Sequence, residues 1–166
     1  MASTYTPIAS ASFSGGTGTS VDFQSIPATH TDIVAVFNMR SNNSYNMYVR
    51  FNNDSTSNYS TTHIAGNGSS ASSYRWSNET STRLNSTTYS TSSAFAYGVM
   101  QVMSYSNSSV YKTALTASGA AGLGVERMVG LWRSTSAIDR ITFLLGSTGA
   151  GQFVEGTISL YGIKAA

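Results

Sequence analysis

The sequence predicts an all-β fold, an antiparallel two-sheet β-sandwich of jelly-roll topology, and three observations predict it. About three residues in ten are Ser or Thr, whose hydroxyls compete with helical backbone hydrogen bonds. Short runs of alternating apolar and polar residues recur between clusters of Gly, Asn, Ser and Asp, which is the period of strands separated by turns. No stretch repeats its apolar residues at helical spacing between recognisable caps. At 166 residues and 40% hydrophobic content, the chain is long enough to bury one core, so a single domain over 1–166 is expected.

The elements follow in order. Thr4 to Phe13 reads as a strand ended by Ser14-Gly15-Gly16-Thr17-Gly18, and Val21 to Ile26 as a second leading into Pro27. Thr31 to Arg40 places Ile33, Ala35, Phe37 and Met39 on one face and Val34 and Val36 on the other, so burial on both sides is expected. Ser41-Asn42-Asn43-Ser44 is a hairpin turn, after which Met47, Val49 and Phe51 alternate with Tyr48 and Arg50. Asn52-Asn53-Asp54-Ser55 closes that strand; its oxygens could suit a calcium ion, but the acidic density and spacing of a calcium loop are absent and the turn is preferred. Residues 55–93 form a long polar, loop-rich stretch that carries Tyr59, Ile64, Tyr74, Trp76, Leu84 and Tyr89, with room for short strands. Regular alternation resumes at Ala94 to Tyr105, Val110 to Ala117, Val125 to Arg133, Ile138 to Leu145 and Phe153 to Ile163.

Composition excludes several kinds of chemistry. Nine Lys and Arg against seven Asp and Glu give a net charge of +2, and the basic residues are scattered singly rather than gathered on one face, which argues against nucleic acid as a partner. Without Cys and with only His30 and His63, both read as loop residues, no metal site is expected, nor any other cofactor. No apolar run reaches the length of a membrane span, and the start of the chain carries no secretory signal pattern. The segment Gly119 to Gly124 lacks the lysine of a phosphate loop and reads as a flexible connection between strands. Neighbouring pairs Glu126-Arg127 and Asp139-Arg140 read as surface or intersubunit ion pairs, and no Gly-x-Ser-x-Gly elbow supports acyl transfer. An enzyme is not expected.

Binding residues are easier to name. Tyr74-Arg75-Trp76 joins the three residue types most enriched at interface hot spots, in a surround of Ser, Gly and Asn. With Tyr59 and Tyr89 they make the candidate protein–protein interface, although Trp76 could equally plug one end of the sandwich. Trp132, in Val129-Gly130-Leu131-Trp132-Arg133, is assigned to the core.

Three segments carry a resemblance: Val129 to Ile138 with Ile141-Thr142-Phe143, Gly156 to Lys164, and Tyr5-Thr6-Pro7-Ile8-Ala9. Together with Ile26-Pro27 to Asp32-Ile33 and Arg50-Phe51-Asn52 through Asn58-Tyr59-Ser60, they make the chain similar to small tailed-phage structural proteins of the cyanophage type. The resemblance implies a virion protein, with a capsid cement or decoration role foremost and a tail or baseplate module next. It also implies a partner in the major capsid protein, a location on the outer capsid surface and synthesis in the host cytoplasm. Surplus apolar residues on both faces of the strands suggest a symmetric assembly, and the threefold positions that capsid decoration modules often occupy make a homotrimer the expected one. From a different class, a carbohydrate-binding, lectin-like adhesion module with a surface glycan as ligand is the alternative.

Overall fold

In a computed structural model that describes residues 4–86 and 92–164, alternation decides which way each strand faces, and the chain folds into two antiparallel sheets. Twelve strands are formed among the described residues: β1 (Tyr5–Gly18), β2 (Ser20–Phe23), β3 (Asp32–Ser41), β4 (Met47–Phe51), β5 (Tyr59–Gly66), β6 (Ala71–Glu79), β7 (Thr82–Arg83), β8 (Ala96–Met103), β9 (Lys112–Ala120), β10 (Gly124–Trp132), β11 (Ile141–Leu145) and β12 (Phe153–Ile163). The large sheet runs β1-β12-β3-β8-β9-β10-β5-β6 and the small one β2-β11-β4-β7. The chain passes repeatedly between them, so each sheet is stitched from distant segments: β1 pairs with β12 and β3 lies between β12 and β8.

The core sits between the sheets. Ile33, Ala35, Phe37 and Met39 of β3, with Met100 and Val102 of β8 and Ile158 and Leu160 of β12, face Met47, Val49 and Phe51 of β4 and Ile141, Phe143 and Leu145 of β11. Each is almost wholly withdrawn from water. Burying one such side chain stabilises the fold by about 1.5–3 kcal/mol, before the entropy of ordering it is subtracted. Gly98 allows close packing: a Cβ there would run into the ring of Phe37, its partner on β3.

Three expectations change on meeting the structure. Much of the described part of residues 55–93 is strand: β5 and β6 form a hairpin that ends the large sheet, because Ser and Thr tolerate an extended, mostly exposed edge as well as a loop. The second apolar face of β3 is only partly covered; Val34 is buried, but Val36 lies on the outer side of the large sheet, 43% exposed. His63 is not in a loop, for it lies buried in β5, and His30 is nearly buried as well.

Trp132 joins the core as expected. Its ring stacks on Tyr59, with centroids 6.3 Å apart, and leans on Phe51. Asn52 and Asn53 both take positive φ, the left-handed conformation Asn tolerates, so the Asn52-Asn53-Asp54 segment is a turn. Its carboxylate is engaged within the protein: Asp54 accepts from Trp132 Nε1 at 2.7 Å, from the Thr56 amide at 2.9 Å and from Asn58 Nδ2 at 3.0 Å.

Candidate functional site

Two surfaces stand out, one on the outer face of the large sheet and one at the open side of the sandwich. Register builds the first. Across the sheet Val36 faces Val99, Val99 faces Ala117, Ala117 faces Arg127 and Arg127 faces Ile64. One row away lie Leu115 and Val129, and on the other side Tyr97, Gly119 and Val125. All these side chains point away from the small sheet, so the opposing sheet does not cover them. Val99 is 43% exposed, Val129 48%, Ile64 56% and Val125 70%. Small residues at Ala117 and Gly119 leave a trough of about 820 Å³ between Tyr97 and Val125, with Arg127 among its walls.

Geometry at the second surface follows from the unequal sheets. β7, the last strand of the small sheet, packs against β10 and β5, leaving β6 beyond its cover. The inward residues of β6, Tyr74 and Trp76, therefore lie at the rim instead of in the core. Tyr74 stacks on His63 with ring planes 14° apart and on Trp76 at 5.8 Å, and it remains 57% exposed. Trp76 is part-buried because the Arg83 guanidinium covers its ring, 4.3 Å from the centroid. Arg83 also sits 5.0 Å from the Tyr48 ring, donates to the Tyr48 hydroxyl at 2.7 Å and approaches Glu79 at 3.7 Å.

Under this rim lies a buried pair. His63 Nε2 is hydrogen-bonded to Glu126 Oε2 at 2.9 Å, and the Glu126 carboxyl also accepts from the Ser86 amide and the Ser118 hydroxyl, both at 3.0 Å. Burial pushes the Glu126 carboxyl up, while those hydrogen bonds and the His63 ring pull against it. No three His, Asp or Glu side chains come together in a metal-binding group among the described residues. Nor is any helix there long and apolar enough to cross a membrane.

The residues named from sequence separate. Tyr74 and Trp76 share one face of β6, but Arg75 lies on the opposite face, across from Thr62 on the outer side of the sheet. Tyr59 needs correction: it is fully buried, its hydroxyl accepting from the Phe51 amide at 3.0 Å, so it is a core residue with no surface to offer a partner. Tyr89 lies outside the described residues. The neighbour pairs are corrected too. Glu126 and Arg127 point to opposite faces of β10, and Arg140 pairs with Asp22 at 2.8 Å instead of with Asp139. Sequence reading missed the roles of His63, Arg83 and Glu126; His63 and Glu126 are signalled only by being polar at inward-facing strand positions, whereas Arg83, across from Tyr48 on the other face of β7, carries no such signal.

No family model matches the chain, and no curated protein matches it. Among solved structures it is similar to the crystal structure of Caenorhabditis elegans galectin LEC-6, at 8% identity and a TM-score of 0.36, over 89% of this chain and 95% of that one.

Proposed function

We propose that this chain is a binding module that acts by surface contact rather than catalysis, and that it serves as a structural component of a tailed-phage particle. The observation that carries the contact reading is the exposed apolar outer face of the large sheet. Seven apolar side chains on neighbouring strands, Val36, Ile64, Tyr97, Val99, Leu115, Val125 and Val129, are each 40–70% exposed, a grouping of the kind that marks interaction surfaces. Branched aliphatic side chains on a sheet suit a protein partner better than a sugar, which stacks on aromatic faces. Arg127 within the patch favours a partner surface that is apolar and carries a carboxylate, since a buried guanidinium needs one. The virion assignment itself comes from the sequence resemblance, with the major capsid protein as that partner, a decoration role on the shell, and a trimer of this chain as the attached unit.

A direct test compares the chain with Val99→Asp. Val99 lies on an exposed face, so the variant folds; capsid association and self-association in light scattering are expected to fall together. Unchanged attachment to purified particles would overturn the assignment of this face, and absence of the protein from particles would overturn the virion reading.

A second reading, a carbohydrate-binding adhesion module, is favoured by one specific observation. The exposed Tyr74 ring, stacked with Trp76 at the rim, is the kind of flat aromatic surface on which sugar rings rest.

A further inference from the structure

The rim where β6 overhangs β7 holds an unusual concentration of polar chemistry. Among the described residues, five buried side-chain atoms lack a hydrogen-bond partner: Asn46 Oδ1, His63 Nδ1, Ser81 Oγ, Arg83 Nε and Asn85 Nδ2. All five belong to residues in β5 or β7, in the turn before β7, or beside β4 and β7, and so lie around the Tyr74-Trp76-Arg83 cluster. Asn46 reaches Tyr48 through its amide at 3.1 Å, Tyr48 reaches Arg83, and His63 lies 5.9 Å from Trp76, which links Asn46, Arg83 and His63 into one neighbourhood. Buried polar groups in folded proteins are nearly always satisfied, so such a concentration calls for a polar partner from outside the chain, be it water or a ligand.

The chemistry of the cluster restricts that partner. The charges that face the cluster already have partners, Arg83 with Glu79 and the Glu126 carboxyl with His63, Ser86 and Ser118. A phosphate or an ammonium entering here would bring a charge with nothing left to meet it, at the cost of desolvating that charge. The unpartnered atoms include donors, Arg83 Nε and Asn85 Nδ2, and an acceptor, Asn46 Oδ1. Carboxylates and phosphates only accept and ammonium groups only donate, whereas a hydroxyl does both. A neutral polyhydroxylated ring, with an apolar face for Tyr74 and hydroxyls for the polar side, meets all three requirements.

We infer that this rim binds a neutral carbohydrate, seated on the Tyr74-Trp76 ring pair and hydrogen-bonded along the β7 side. This rests on the carbohydrate-binding reading above and names its site and ligand class. Tryptophan fluorescence reports on it well, because Trp132 is buried and Trp76 is part-exposed. The test titrates the protein with glucose, galactose, mannose, N-acetylglucosamine and their short oligomers, with glucuronic acid and a sulfated polysaccharide as charged probes. Saturable binding of at least one neutral sugar is expected, weakened about ten-fold or more in Tyr74→Ala. That variant removes a half-exposed edge side chain and is expected to keep the wild-type melting profile. Neutral-sugar binding that is unchanged in Tyr74→Ala overturns the site while leaving the carbohydrate reading standing. A charged probe bound in preference overturns the ligand class. No binding of any probe up to about 10 mM overturns both the site and the reading beneath it.

Discussion

Replacing Asp54 with Asn tests how the turn after β4 is locked to the core. Burial alone would push this carboxyl up, but the hydrogen bonds from the Thr56 hydroxyl, Trp132 Nε1, Asn58 and the Thr56 amide outweigh it and hold it at about 2, against an ordinary 3.8. The folded state therefore favours the ionised form. Its contribution is complete above about pH 4 and is lost as pH falls through 2. A shift of that size corresponds to about 2.4 kcal/mol at most, and partial exposure of the carboxylate reduces it to about 1–2 kcal/mol. Asn keeps one acceptor but turns an NH₂ towards the Trp132 indole N–H or the Thr56 amide, setting donor against donor. At pH 7, Asp54→Asn is expected to lose about 1–3 kcal/mol in urea denaturation followed by Trp132 emission. Below pH 4 the variant and the parent should converge. An unchanged midpoint at pH 7, or an acid-dependent loss of stability that persists undiminished in the variant, would refute the assignment of Asp54 as the group that secures Trp132.

Other outcomes follow from the packing. Tyr59→Phe removes the acceptor of the buried Phe51 amide and is expected to cost about 1–2 kcal/mol in thermal or urea unfolding, with partner binding untouched; a binding defect without a stability change would return Tyr59 to the surface. Gly98→Ala drives a methyl into the Phe37 ring and should destabilise by about 1–3 kcal/mol, whereas an unchanged melting temperature would mean that this part of the core is looser than drawn. Lys112 is buried with its ammonium on the Val110 and Thr135 carbonyls, and burial holds its pKa down. Native stability relative to Lys112→Met should therefore rise with pH towards 10.5, where the unfolded lysine also loses its proton. A flat difference between the two proteins from pH 8 to 11 would contradict that.

The sequence by itself determined the class of fold, most strand positions and the environment of particular residues. Period-2 alternation and Gly, Asn and Ser turns are local signals, and they sufficed to put Ile33, Ala35, Phe37 and Met39 on one face of β3, Trp132 in the core and Asn52 to Asp54 in a turn. Alternation says which residues share a face, but not whether that face is covered. Coverage depends on where a strand lies in its sheet and how far the opposing sheet extends, and both are set by pairings between segments far apart in the chain. Only the tertiary structure could therefore bury Tyr59 while leaving Tyr74 exposed, although both lie in the same polar stretch. It alone put Arg75 on the opposite face from Tyr74 and Trp76, brought His63 to Glu126 and Arg83 to Trp76, and left Val36 and Val99 facing outward on central strands. The reason lies in pairing over distance: a four-stranded sheet covers only part of the inner face of an eight-stranded one and none of its outer face, so the rim and the outer face stay exposed.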